Sequence, residues 1–172
     1  MKKHISLLAI FSVIAMLFTS CLKDKPITNY NEIQPVVIIP NANWPKNTAT
    51  AATAVTFAGN TAYEVILYAR VSWENTLPKE VVVTFVKDEA AITAYNAKFG
   101  TTYIPVPDNA ISAGNLKATI AAGTNDSSIP VKVNLSLLDA TKKYMLPYSI
   151  SDASGENIGA NYKTYLLPLT NK

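Results

Sequence analysis

From residue 61 to residue 73 the chain alternates with period two. Tyr63, Val65, Leu67, Ala69, Val71 and Trp73 fall on one side, while Glu64, Tyr68, Arg70 and Ser72 fall on the other together with Ile66. A run of that length and period is a β-strand with one buried face, because successive side chains of a strand point to opposite sides. Such a strand cannot bury its apolar side alone, so the rest of the chain must supply neighbours and a second layer. Residues 74–79 carry turn-forming residues, and 80–86 follow as a run of Val, Thr and Phe. The pattern predicts an antiparallel hairpin of the two strands.

The remaining segments read mostly the same way. Residues 36–39 are β-branched and bounded by Pro35 and Pro40, which suits a short strand at a sheet edge. Residues 41–54, rich in Asn, Thr and Ala around Trp44-Pro45, read as a long loop. Asp88 can cap a helix over residues 89–99, with Gly100 where a left-handed residue is wanted. Ile92, Tyr95 and Phe99 share one face of that helix, and three turns are marginal alone, so this face must lie against the sheet. Residues 101–107 are extended, since Pro105 and Pro107 each push their predecessor out of the helical region. Strands resume at 118–121 and at 129–135, where Pro130 implies an edge or a bulge. The runs 144–151 and 162–169 close the domain on either side of a turn-rich stretch. Several short strands, one short helix and proline-marked edges predict an all-β fold, a two-sheet antiparallel β-sandwich.

Ahead of this domain, Lys2, Lys3 and His4 precede an apolar run over residues 5–18, broken only by Ser6 and Ser12. The run is too short to span a bilayer as a permanent helix and ends in small residues, as a signal peptide does. Its close, Phe18-Thr19-Ser20-Cys21, resembles a bacterial lipobox. The resemblance implies that the Cys21 thiol receives a diacylglyceryl group, that the chain is cut just before it, and that the new amino terminus is acylated. The expected organisation is a signal peptide at 1–20, a lipidated tether at 21–33 and the sandwich at 34–172, with the lipid as the membrane contact.

Charge and residue types narrow the chemistry. Of 15 basic residues, Lys2 and Lys3 leave with the leader, and 12 acidic residues nearly balance the rest. The densest basic pair is Lys142-Lys143, so the electrostatic footprint of a nucleic-acid binder is missing and no nucleic-acid partner is expected. Cys21 is the only cysteine and His4 the only histidine. The folded domain therefore has no means of forming a disulfide, a Cys or His zinc site, a Cys-His nucleophile or a Ser-His-Asp triad. No metal and no cofactor are expected.

Among the candidate sites, Trp44 stands beside Asn41, Asn43, Pro45 and Lys46. An exposed indole there would stack on the apolar face of a sugar ring while Asn41, Asn43 and Lys46 hydrogen-bond its hydroxyls. The alternative is that Trp44 covers the end of the sandwich, the usual fate of a large aromatic. Trp73 shares the phase of the buried face and is expected in the core. Tyr95, Tyr103, Tyr144, Tyr148, Tyr162 and Tyr165 are expected at sheet rims rather than in one platform. Asp88-Glu89 reads as a helix start, since glycoside hydrolysis needs carboxylates facing across a cleft. Residues 152–156 lack the spaced acids of a calcium loop and read as a turn. No catalytic residue is expected.

Several phrases occur together: the lipobox, Ile39-Pro40-Asn41-Ala42, Tyr95-Asn96, Gly100-Thr101-Thr102-Tyr103 with Pro107, Ile120-Ala121-Ala122-Gly123, and Tyr144-Met145-Leu146-Pro147. In order and spacing they resemble the Bacteroidetes lipoprotein domain known as domain-of-unknown-function family 1735. The resemblance covers roughly residues 34–169 and implies an immunoglobulin-like sandwich on an outer-membrane lipoprotein, among proteins commonly encoded with polysaccharide-utilisation systems. Many members continue into a second, C-terminal module thought to carry glycan recognition; this sequence ends at Lys172. The resemblance implies a non-catalytic, glycan-associated binding component, at the cell surface or alternatively on the periplasmic face. A structural or adhesin-like domain contacting an outer-membrane protein through its strand edges is the other reading. Cys21→Ala is expected to abolish lipidation, with fatty-acid label entering the wild type alone; equal label in both would refute the assignment. Each buried acyl methylene contributes roughly 0.8 kcal/mol of anchoring, so several chains hold where one does not.

Overall fold

In the computed structural model, which describes residues 33–45 and 51–171, the alternating run is the longest strand of a β-sandwich. The expected signal peptide, Cys21, most of the expected tether and Lys46 lie outside the described residues. In chain order the strands are β1 (Val36–Ile38), β2 (Val55–Thr56), β3 (Ala62–Ser72), β4 (Val81–Lys87), β5 (Ile104–Pro105) and β6 (Ile111–Ala113). They continue as β7 (Lys117–Ile120), β8 (Asp126–Asn134), β9 (Tyr144–Asp152), β10 (Asn157–Ile158) and β11 (Thr164–Thr170), and a helix, α1 (Glu89–Phe99), follows β4.

One sheet runs β10-β1-β3-β8-β6 and the other β2-β11-β9-β4-β7, with β5 added along β9. The longer strands pair antiparallel, as expected. The two-residue strands β10, β2 and β5 instead join β1, β11 and β9 in parallel. β1 thus stands one place in from the edge that its prolines suggested. β10 and the turn after it lie close along β1: a side chain at Gly159 would meet Ile38 Cγ2 at 2.8 Å. Pro130 does mark an edge, because β6 pairs only with Val131–Val133 and leaves that side of β8 open from Asp126 to Pro130.

The expected hairpin of β3 and β4 does not form. β3 pairs with β1 and β8, whereas β4 pairs with β7 and β9. Residues 73–80 cross between the sheets and carry Leu77 into the interior on the way. The reason lies in the matching apolar faces. Side by side in one sheet they would still need a cover, but across the interior Val65, Leu67, Ala69 and Val71 join Val81, Val83 and Phe85 in one core. β7 and β8 likewise belong to different sheets, joined through the turn at Gly123.

β9 is buried along Tyr144–Ile150 on both faces. Tyr144, Leu146, Tyr148 and Ile150 enter the sandwich core, while Met145 faces outward and packs with Leu166 of β11 against Ala91, Ile92 and Tyr95 of α1. The helix therefore lies on the outer face of this sheet, as its short length required. Its start is fixed from below. Asp88 Oδ1 accepts the Ala91 N–H at 3.1 Å, and its Oδ2 accepts the Ser149 hydroxyl at 2.7 Å. Ser149 in turn shares a 2.6 Å hydrogen bond with Thr164, and these two hydroxyls are the buried polar side chains of the sheet. The helix ends at Gly100, φ 63°, with Asn96 accepting from the Thr101 hydroxyl and the Tyr103 N–H and donating to the Tyr103 carbonyl.

Asp88→Ala removes the cap and the buried carboxylate acceptor together, and should cost about 1–3 kcal/mol of folding stability. Asp88→Asn, which keeps an acceptor oxygen, should cost less. Urea denaturation of the two variants checks the order, and equal midpoints for all three proteins would show that the network adds nothing.

Candidate functional site

Beyond β1 the chain is drawn to the part of β11 that β2 leaves uncovered. The Ile39 N–H donates to the Tyr162 carbonyl at 2.7 Å, and the Asn43 and Trp44 N–H groups both donate to the Thr164 carbonyl at 3.2 and 3.3 Å. Asn43 then pairs through its side chain. Its Nδ2 donates to the Leu166 carbonyl at 2.7 Å and its Oδ1 accepts the Leu166 N–H at 2.8 Å. One amide thus takes the place that a strand residue would occupy beside β11, satisfying a donor and an acceptor that would otherwise be left open.

This anchoring sets Trp44 against α1. Its ring lies 5.5 Å from Tyr95 and 6.3 Å from Phe99, while Tyr95 is 4.6 Å from Phe99 and 6.1 Å from Tyr103. Tilted and edge-on pairs of this kind contribute roughly 0.5–1.5 kcal/mol each beyond their buried area. The Lys98 ammonium lies 5.4 Å from the centroids of both Trp44 and Phe99. The Tyr95 hydroxyl accepts the Ala52 N–H at 2.8 Å, so the far end of the same loop also returns to the helix. Burial first, and then the neighbouring Tyr95, raises the Tyr103 phenol above its ordinary value. The result is an aromatic ledge with the Lys98 cation at its rim.

The expected contact residues are distributed over it unevenly. Trp44 is half-buried on the ledge and Asn41 is exposed at the turn before it. Asn43 is adjacent, but its amide is engaged with Leu166. Lys46 lies outside the described residues, and the cation found at the ledge is Lys98, which the sequence did not single out. Lys98 falls off the apolar face of the helix, and only its four-carbon stem lets it reach the rings. Trp73 is half-buried and packs against the core, in keeping with its phase.

Of the tyrosines, Tyr95 and Tyr103 share the ledge, whereas Tyr144 and Tyr148 are in the core, Tyr165 packs against it and Tyr162 is exposed. Asp88 serves the helix cap, and Glu89 reaches Lys87 at 3.3 Å. Residues 152–156 form a turn in which Asp152 accepts the Ser154 N–H and Gly155 takes φ 82°. Among the described residues no three His, Cys, Asp or Glu side chains are grouped to hold a metal ion, and no helix is long and apolar enough to cross a membrane.

Asn43→Ala should lower stability by about 1–3 kcal/mol, because it leaves the Leu166 N–H and carbonyl without their partner. It should also shift the emission of Trp44 to the red by loosening its seat. Fluorescence and thermal melts in a Trp73→Phe background test both effects, and an unmoved spectrum would show that Asn43 does not position the indole.

A family model described as a "-like, N-terminal domain" matches residues 30–157. No curated protein matches the chain. Among solved structures, a candidate carbohydrate-binding protein from Bacteroides ovatus aligns with TM-score 0.64 and 18% identity over 79% of this chain and 37% of its own. A multidomain protein from the same organism that includes domain-of-unknown-function 1735 aligns with TM-score 0.59 and 16% identity over 78% of this chain and 44% of its own. EndoBT-3987 of Bacteroides thetaiotaomicron, solved with a Man5GlcNAc product, aligns with TM-score 0.55 and 18% identity over 64% of this chain and 26% of its own. The chain thus spans less than half the length of these neighbours, and at such identities the likeness is one of fold. With the family model covering most of the sequence, the chain belongs to this Bacteroidetes family of N-terminal domains, and the resemblance to domain-of-unknown-function family 1735 agrees with the sandwich shared with a protein that includes that domain.

Proposed function

We propose that this chain is a glycan-associated binding lipoprotein, tethered to the outer membrane through lipid on Cys21 and presenting the Trp44 ledge to a saccharide at the cell surface. The observation that carries the reading is the ledge itself: a half-exposed indole backed by Tyr95 and Phe99, with exposed Asn41 on one side and the Lys98 ammonium over the ring. A sugar needs a flat apolar surface for its C–H face and polar groups at the rim for its hydroxyls, and these residues supply both. Membership of the family and the fold shared with a candidate carbohydrate-binding protein support the same class.

In this reading Trp44 stacks, Asn41 and Lys98 hydrogen-bond, and Asn43 acts as a positioning residue through Leu166. Lys46, two residues beyond Trp44 in the sequence, is a further proposed donor. The reading is one of binding, and it gives the carboxylates of Asp88 and Glu89 structural roles, the first capping the helix and the second reaching Lys87.

A glycan array with the full chain identifies the ligand, and calorimetry then compares variants. Trp44→Ala should weaken binding more than about tenfold, as loss of a central aromatic anchor does. Trp73→Ala should leave affinity unchanged and lower the melting temperature. Undiminished affinity in folded Trp44→Ala protein would remove the ledge as the site. Failure of the wild type to bind any array glycan would favour a protein-contact role.

A further inference from the structure

The sequence's densest basic pair, Lys142-Lys143, has no part in the ledge, yet it lies between two hollows in the surface. One, about 450 Å³, is lined by Thr102, Ile104, Thr141, Lys142 and Lys143. The other, about 250 Å³, shares Thr141, Lys142 and Lys143 and adds Ala140, Thr170 and Asn171. Volumes of several hundred cubic ångströms are of the size that small ligands occupy. The wall between the hollows is held in place by backbone pairing. The Ile104 N–H donates to the Lys143 carbonyl at 3.0 Å, at the point where β5 joins the start of β9.

The lining is polar in one sense only. Among the described residues it comprises two lysines, three threonines and one asparagine, with no carboxylate. Asp139 is the nearby acid. Its carboxyl is held below the usual range by hydrogen bonds from the Thr141 N–H and hydroxyl, and its other oxygen lies 3.6 Å from Lys142. Asp139 thus braces the turn and partly offsets Lys142. Lys143 has no carboxylate partner among the described residues. Ile104, 39% exposed, gives the larger hollow an apolar wall beside these charges.

The geometry points to a second saccharide subsite here, selective for sugars that carry an anionic group, a uronate or a sulfate. The anion sits between the Lys142 and Lys143 ammonium groups, the C–H face of its ring lies on Ile104, and the threonine hydroxyls bond its ring hydroxyls. A neutral sugar gains the apolar and hydroxyl contacts but forgoes the charge attraction of the two exposed ammonium groups, which is the basis of the selectivity. This inference rests on the glycan-binding reading and adds to it the class of glycan.

The test uses the full chain in detergent with four probes: trigalacturonate, its methyl ester, a sulfated galactose disaccharide and its unsulfated form. Calorimetry should show at least one charged probe binding about tenfold more tightly than its uncharged counterpart, with the difference shrinking as salt is added. The double variant Lys142→Gln/Lys143→Gln should erase that preference, and the double arginine variant should retain it. A preference that survives the glutamine substitutions, or wild-type protein that binds array glycans but prefers none of the charged probes, overturns this subsite and leaves the ledge standing. Wild-type protein that binds neither the probes nor any array glycan overturns both readings.

Discussion

The whole arrangement depends on β9 being buried on both faces. A strand in a two-layer sandwich needs to be apolar on only one side, but Met145 is as deeply buried on the outer side of β9 as Leu146 is on the inner. With Leu166 next to it, Met145 creates an apolar patch on the back of the sheet that must be covered. Helix α1 covers it, and Trp44, Ala52, Phe99 and Tyr103 close over the rim. The ledge is therefore a by-product of that cover. An indole drawn in to complete the packing of a three-turn helix ends half in and half out of water, which is the disposition that sugar stacking requires.

The same cover explains why polar groups are placed so carefully beneath the helix. Ser149 and Thr164 lie on the back of β9 and β11, where an unpaired hydroxyl would cost about 1–3 kcal/mol. Asp88 accepts from one of them and caps the helix with its other oxygen, so a single carboxylate ties the helix start to the sheet. The fold thereby fixes the position of α1 with a polar contact at one end and an aromatic cluster at the other.

Much of this was legible in the residues. The period-two run gave β3 its buried face, Asp88 and Gly100 marked the limits of α1, and the phase of Trp73 placed it against the core. Partners were harder to read. A periodic strand declares which of its sides is apolar but not which strand will lie beside it, and β3 and β4 proved to face each other across the core. Asn43 stood out only as a sugar contact, and its role beside β11 was invisible for a different reason: a side-chain amide that imitates a strand leaves no pattern, since its meaning depends on Leu166, more than a hundred residues away. Lys98 reaches the ledge only by the length of its side chain. The family resemblance supplied the architecture, while the sites rest on side chains particular to this sequence, as expected where a shared fold hosts differing surfaces.

The crossing of β3 to β4 has a consequence for the order in which the chain can acquire structure. Arg70 of β3 finds its opposite residue at Asp126. A polypeptide emerging from the ribosome amino-terminus first therefore holds its longest strand with only the three residues of β1 to pair with until β8 has been made. The nearest antiparallel pairing of long strands is that of β9 with β11, where Ser149 meets Thr164, and it belongs to the last part to be synthesised. Pairings so distant in sequence raise the entropic barrier to closing the sandwich. The amino-terminal half thus waits on later strands for most of its pairing, and a chain whose sheets are not yet closed is the state in which a polypeptide can be threaded through a narrow pore.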